Sequence, residues 1–286
     1  MNAHSNTQSA ATAKSAATAS DLILLREDLT GDHSGIAILT LNRPAARNSL
    51  SEAMLEALSD ALTAIAHDKN VRVVVLAANG PAYCAGHDLK ELDAHRKDDD
   101  RGRGHFKRIM AMCSDVMQQI VKLPQPVIAA VHATATAAGC QLVASCDLAV
   151  AAPTAKFATP GVNIGLFCST PMVALSRNVS RKHAMEMLLT GELIAAEDAA
   201  SIGLINHVAA AGRERAEAIR LAQKIAAKSM LTVKTGKEAF YRQAEMPLAE
   251  AYKYASEVMV ENMLARDAEE GISAFIEKRE PKWQDR

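Results

Sequence analysis

The chain has 286 residues, 49% of them hydrophobic and 23% charged, with a formal net charge of −1. That is enough apolar material for a sizeable core, in one large domain or one domain with an appendage. No basic excess points to a nucleic-acid partner, and no run of about 18 or more apolar residues could span a bilayer.

Residues 1–20 are rich in Ala, Ser and Thr, with almost no large apolar side chain. Such a segment buries too little surface to offset its ordering entropy, so a disordered tail is expected. It has no apolar stretch of the secretory kind. It is Ser-rich and free of acids, as organelle transit peptides are, yet lacks their Arg.

Residues 22–26 and 36–41 are β-rich runs separated by Gly31-Asp32-His33-Ser34-Gly35, which predicts a hairpin. Asn42-Arg43-Pro44 stops the second strand. A helix is expected next, with Ser49 or Ser51 as N-cap and Met54, Leu55, Leu58, Leu62 and Ile65 at 3.6-residue spacing. Residues 71–76 then read as a strand buried on both faces. The alternation recurs at residues 126–131, at a helix over 138–144 and at residues 148–151, which argues for an α/β fold with crossover connections. The charge-dense run His95–Arg103 reads as a solvated loop. From about Arg181 helical periodicity takes over, broken by one strand-like run at residues 204–208. Amphipathic helices are expected over 216–228, 232–242, 248–264 and 268–278. The five cysteines (Cys84, Cys113, Cys140, Cys146, Cys168) form no CxxC pair and read as reduced, buried thiols, with no metal site.

Two segments crowd small residues where a strand gives way to a helix: 83–92 (YCAGHDLKEL) and 135–142 (ATAAGCQL). Small side chains let a ligand approach the backbone, and a helix N-terminus offers free N–H groups with a favourable dipole. Two such segments face to face could bind the oxygen of a polarised carbonyl. Tight helix–strand packing explains the same composition equally well.

The first segment resembles the "AGxDLKE" signature of the enoyl-CoA hydratase/isomerase (crotonase) family. The second resembles its "GGGCELAxxCD" stretch, here Ala137 to Asp147. Further matches follow in order: Leu41-Asn42-Arg43-Pro44 with Arg47-Asn48, Phe157-Ala158-Thr159-Pro160, Met187-Leu188-Leu189-Thr190-Gly191, and residues 271–279. The resemblance covers roughly residues 22–286. The chain is also similar to the "enoyl-CoA hydratase domain-containing" branch of bacteria and animal mitochondria.

The resemblance implies a crotonase (ClpP-like) spiral of ββα units over residues 21–200. Residues 201–286 would be a helical, trimerising C-terminal region. It implies a coenzyme A thioester as substrate with no covalently bound cofactor, an acyl-CoA partner, and self-association as a trimer or dimer of trimers. The expected compartment is the cytoplasm in a bacterium, or else the mitochondrial matrix. Carried over by position, the backbone N–H groups of His87 and Ala138 form an oxyanion hole for the thioester carbonyl. Losing one such donor typically costs about 2.7–4 kcal/mol in the transition state. Ala45, Ala46 and Arg47 line the nucleotide end, where Arg47 could meet a phosphate. Ala85, Asp88, Leu89, Lys90, Thr134, Ala137, Pro160 and Leu166 fall at further coenzyme- or substrate-contacting positions. Phe275 and Lys278 would reach the coenzyme of a neighbouring subunit.

Two departures bear on chemistry. Hydratases of the family use two glutamates as base and acid. Gln141 and Gly161 stand at those positions. Glutamine can orient a water but cannot take its proton, and loss of either partner usually costs about 10²–10⁴-fold. Efficient hydration by the family's usual route is therefore not expected. His87 adds an imidazole beside the thioester site, able to act as a base near neutral pH or simply to fill space and hydrogen-bond. Asp88 reads as structural. Cys168 would be a nucleophile only with a lowered pKa, which nothing adjacent in sequence supports.

Three readings follow: a CoA-thioester enzyme (a weak hydratase, an isomerase, or a hydrolase using a Gln141-positioned water), an acyl-CoA-binding protein without turnover, or a scaffold.

Overall fold

A computed structural model describes residues 22–286; the expected tail at residues 1–20 lies outside them. The predicted hairpin is present. Strand β1 (Leu24–Asp28) pairs antiparallel with β2 (Ile36–Leu41) across a short 3₁₀ turn at Gly31–His33. Helix α1 (Glu52–His67) starts where the Ser51 hydroxyl accepts the Met54 N–H, and it buries the five apolar residues of the expected stripe. Each such side chain contributes about 1.5–3 kcal/mol on burial. Strand β3 (Val73–Ala78) follows, parallel to β2.

After β3 come a short helix α2 (Leu89–Ala94) and a long helix α3 (Arg103–Lys122). The expected loop at His95–Arg103 is largely exposed, but its far end starts α3, where Asp100 accepts the N–H groups of Gly102 and Gly104. Helix α3 was not among the expected elements, although Ile109, Cys113, Val116, Met117 and Ile120 form a helical stripe that packs on α1.

Next in order are β4 (Val127–Val131), β5 (Ala135–Thr136), α4 (Ala138–Ser145), β6 (Leu148–Ala151) and β7 (Lys156–Ala158). Helices α5 (Pro171–Leu175) and α6 (Arg181–Thr190), strand β8 (Ile194–Ala195), helix α7 (Ala196–Ser201) and strand β9 (His207–Val208) follow. The strand expected over residues 204–208 is thus only its last two. Helices α8 (Glu214–Ala226), α9 (Met230–Gln243), α10 (Leu248–Met263) and α11 (Arg266–Glu277) match the four expected C-terminal helices within a few residues.

The strands form a six-stranded sheet, ordered β1-β2-β3-β4-β6-β9, and a three-stranded one, β5-β7-β8. All pairs from β2 through β9 in the larger sheet are parallel, which requires the crossover helices and gives the repeated strand–helix spiral. Side chains alternate between its faces. Ala37, Leu39, Val74 and Ala129 pack with α1, α3 and α4; Ile36, Ile38, Val73, Val75 and Ile128 pack with Ala218 and Ala222 of α8.

A buried polar clamp fastens α9 to this sheet. Lys237 Nζ meets Asp147 Oδ2 at 2.6 Å and also donates to the carbonyls of Ile120 and Gln125. Asp147 accepts in addition from the Tyr241 hydroxyl and the Val127 N–H. The C-terminal residues strap α11 down: Asp267 accepts the N–H groups of Gln284 and Asp285, and Asp285 pairs with Arg72. Outward, α10, α11 and the turn between them leave Tyr252, Met259, Val260, Leu264, Phe275 and Ile276 exposed. Among the described residues, no helix is long and apolar enough to cross a membrane.

Candidate active site

The two small-residue segments lie against each other. Cys84 and Ala135 form an isolated parallel bridge, with Tyr83 N–H donating to Thr134 O and Thr136 N–H to Cys84 O. The approach is so close that a Cβ on Gly139 would overlap the carbonyl oxygen of Cys84. Gly86 sits at φ +90°, in the left-handed region that glycine tolerates. A side chain there would lie 2.9 Å from Ala137 Cβ and 3.2 Å from Ala138 N.

A third segment joins them. Leu50 N–H donates to Gly86 O, Asp88 N–H to Leu50 O, and Ala85 N–H to Arg47 O. Arg47 and Asn48 both adopt left-handed backbone. Asn48 is buried; its side chain accepts the Arg43 N–H and donates to the carbonyls of Asn79 and Ala82. That side chain ties the Arg47 turn to the end of β3.

This weave leaves two amides over. The bridge of Leu50 to its neighbours uses the Gly86 carbonyl and the Asp88 N–H, skipping His87. The first turn of α4 likewise leaves Ala138 N–H without an intrahelical partner. Among the described residues, neither N–H has a hydrogen-bond acceptor. Ala137, just before Ala138, holds φ +52° and ψ −121°, a strained conformation for a residue with a Cβ.

Beside these segments opens a cavity of about 460 Å³. Four residues singled out from the sequence line it together: Arg47, Ala85, Thr134 and Pro160. Thr136, Ala158, Asn163, Gly191 and Leu193 line it as well without having been expected as site residues. Thr136, Ala158 and Gly191 lie in the 135–142, 157–160 and 187–191 segments, which carry the signal for them in the sequence. Arg47 is exposed, and its guanidinium makes no ion pair among the described residues. A larger cleft, about 600 Å³, lies between α1 and α3. Its lining of Glu56, Asp60, Asp115 and Lys122 shares no residue with the motifs.

The remaining sequence candidates fall outside the cavity wall. Ala45 and Ala46 lie in the 3₁₀ turn leading to Arg47. Leu89 and Lys90 occupy the exposed first turn of α2. Leu166 is exposed on the loop before α5. Phe275 and Lys278 stand at the end of α11, with Phe275 85% exposed. Asp88 is committed elsewhere. It caps α2 by accepting from Lys90 and Glu91, and it pairs with Arg43 at 2.7 Å. Burial works against its charge, but Arg43 and the capping amides hold its carboxyl below the usual range.

At the first glutamate position, Gln141 is buried, and its Oε1 has no partner among the described residues. At the second, Gly161 is hemmed in: a Cβ there would lie 2.7 Å from Leu166 O and 2.9 Å from Cys168 Sγ. Cys168 thus fills the space a side chain at 161 would enter, and its sulfur accepts the Gly161 N–H. Burial pushes the Cys168 thiol up, the opposite of what a nucleophile needs. Burial likewise pushes Cys84 and Cys140 up to about 12, and all five cysteines are buried and free. The His87 imidazole is held neutral, its pKa pushed down to about 4 by burial. Among the described residues, no group of three or more His, Cys, Asp or Glu could hold a metal ion.

Residues 31–286 match the family model described as "Enoyl-CoA hydratase/isomerase". A mouse protein named "Enoyl-CoA hydratase domain-containing protein 3, mitochondrial" is 47% identical over 254 residues, 89% of this chain and 83% of the relative. A crystal structure of an enoyl-CoA hydratase from Mycobacterium smegmatis superposes with TM-score 0.86 at 52% identity, covering 92% of this chain and 99% of that one. The structure of human enoyl Coenzyme A hydratase domain-containing protein 3 gives TM-score 0.86 at 45% identity, over 92% and 100% of the two chains.

Proposed function

Because this chain belongs to the enoyl-CoA hydratase/isomerase family, we propose that it binds an acyl-CoA thioester and polarises its carbonyl between the His87 and Ala138 N–H groups. The observation that carries this is the pair of amides left without acceptors, on two segments locked together by the Cys84–Ala135 bridge. Preorganised donors of this kind stabilise enolate-like charge without reorganising during the reaction. The strained Ala137 backbone sets the turn directly before the Ala138 N–H. Arg47, Ala85, Thr134 and Pro160 would hold the coenzyme in the adjoining cavity, with Arg47 meeting a phosphate. Ala45, Ala46, Leu89, Lys90 and Leu166 would flank it.

The reaction would not be hydration by paired carboxylates. Gln141 carries no exchangeable acid, and Gly161 has neither a side chain nor room for one. A neutral His87 and the Gln141 amide leave isomerisation or hydrolysis with a positioned water as the chemistry within reach. A second reading, an acyl-CoA-binding protein without turnover, is favoured by the way Cys168 fills the second acid's place. Single-turnover assays over enoyl-, 3-hydroxyacyl- and malonyl-CoA thioesters, run alongside calorimetry, separate the two. Product at stoichiometric enzyme supports the enzyme, binding without product supports the carrier, and no binding sinks both.

Self-association as a trimer or dimer of trimers would cover the exposed apolar residues of α10 and α11 and bring Phe275 and Lys278 to a neighbour's coenzyme. A mitochondrial matrix location is supported by the word "mitochondrial" in the mouse relative's name; in a bacterial host the compartment would be the cytoplasm.

A further inference from the structure

Arg43 and Asp88 form an ion pair of 2.7 Å in which the Asp88 side chain is only 11% exposed. The residue before Asp88 is His87, whose free N–H is one of the two donors proposed above for the thioester oxygen. Asp88 thus carries a full negative charge one residue from a place where negative charge has to develop. Consecutive Cα atoms lie about 3.8 Å apart, so the carboxylate is a near neighbour of that amide. In a partly buried site, a like charge at such range is poorly screened and opposes an oxyanion.

The carboxylate cannot escape by protonation. Burial works against its charge, yet the Arg43 guanidinium and the amides of Glu91 and Lys90 hold it below the usual carboxylate range. Nor can it turn away, because both oxygens are committed. Oδ1 accepts the N–H groups of Lys90 and Glu91 at the start of α2. Oδ2 accepts from Arg43 Nη1 at 2.7 Å and from the Ser49 hydroxyl at 3.3 Å. Arg43 Nη1 also donates to Ser49 Oγ.

The backbone is fixed as well. Asp88 N–H donates to Leu50 O and Leu50 N–H to Gly86 O, so the chain is held on both sides of His87. The next acid, Glu91, is turned toward the start of α1, where it accepts the Glu52 N–H. Among the described residues, Arg43 is the one cation that pairs with Asp88. It is itself tied down, its N–H donating to the buried Asn48 side chain.

We propose that Arg43 is a charge-compensating positioning residue. It neutralises the fixed Asp88 carboxylate, so that the His87 and Ala138 N–H groups receive a thioester oxygen with no opposing charge beside them. Arg43 acts through Asp88 and rests on the oxyanion-hole reading above. A pair that served packing alone would behave differently: loss of either partner would then harm the site, and loss of both would not restore it.

The test is infrared difference spectroscopy of carbonyl-labelled acetyl-CoA on the full chain, which reads the hole as a downshift of the thioester carbonyl band. The proteins are the parent, Arg43→Gln, Arg43→Lys, Asp88→Asn, and Arg43→Gln combined with Asp88→Asn. Gln keeps a donor toward Asp88 without the charge, and Asn keeps the helix cap. Arg43→Gln should lose about half or more of the downshift. Its affinity for CoA, which has no thioester carbonyl, should stay within about threefold of the parent by calorimetry at physiological salt. Arg43→Lys should keep most of the downshift. Asp88→Asn and the double variant should show at least the parent's downshift, whatever their urea midpoints. An unchanged downshift in Arg43→Gln overturns the assignment, as does a downshift lost in Asp88→Asn or in the double variant. Asp88→Asn decides the matter alone should Arg43→Gln not fold. Acetyl-CoA bound by the parent with its band unshifted removes the oxyanion hole and this role with it, whereas no binding at all removes the acyl-CoA reading.

Discussion

Restoring the family's second glutamate by Gly161→Glu should damage the fold and recover little hydration. The new Cβ would lie 2.7 Å from Leu166 O, 2.9 Å from Cys168 Sγ and 3.3 Å from Cys168 N. Optimal contact between such atoms is near 3.5–4.0 Å, so two of these overlap by about half an ångström or more. Overpacking of this kind costs about 1–3 kcal/mol, and an unpaired carboxylate led into a buried site adds to it. We expect a loss of about 2–4 kcal/mol in urea denaturation at pH 7. Cys168→Ala in the same chain removes the sulfur but not the Leu166 carbonyl, so the double variant should recover less than half of the loss. Crotonyl-CoA hydration, followed by its absorbance, should rise by less than about tenfold, since Gln141 still lacks an acid and one missing partner alone costs about 10²–10⁴-fold. A Gly161→Glu protein within 0.5 kcal/mol of the parent by the criterion for ordinary surface changes, hydrating crotonyl-CoA about a hundredfold faster, would refute the reasoning.

Lys237→Met should cost about 3–5 kcal/mol, because it leaves Asp147 buried without its cation; urea midpoints measure it. Lys237→Met with Asp147→Asn should recover part of that loss. His87 gives a pH dependence whose sign follows from its direction. The unfolded chain takes up a proton below about 6.5 that the folded chain refuses until about 4. Stability should therefore fall by about 2–3 kcal/mol as pH drops through that window, and His87→Gln should flatten this part of the profile. Arg47→Ala should weaken acyl-CoA binding about tenfold by calorimetry, with stability unchanged within about 0.5 kcal/mol because its guanidinium is exposed.

Much of the fold can be read directly from residue order. The stripe Met54, Leu55, Leu58, Leu62, Ile65 can be buried only on one side of a helix, and α1 buries those five. The apolar run at residues 73–76 suits a strand covered on both faces, which is what β3 becomes. These signals are local, and their period alone carries them. Helix α3 carries an equally regular stripe, but the charged run before it hides where the helix begins. Strands β5, β8 and β9 have two residues each and no period to read. They exist only because a neighbouring strand supplies their partners. The same holds for the clamp of Lys237 on Asp147, ninety residues apart in the chain.

The candidate site divides along the same line. Residue order determined that small side chains crowd at 83–92 and 135–142, that Gln141 and Gly161 occupy the acid positions, and that Arg47 precedes Asn48. Only the tertiary structure decided which backbone N–H groups were left over, because that depends on which carbonyls other segments had already taken. His87 and Ala138 keep theirs free because Leu50 bonds around the first and Ala137 turns sharply before the second. Whether Gly161 could be anything larger was likewise settled by Cys168, seven residues away in the chain and packed into the space a side chain would need.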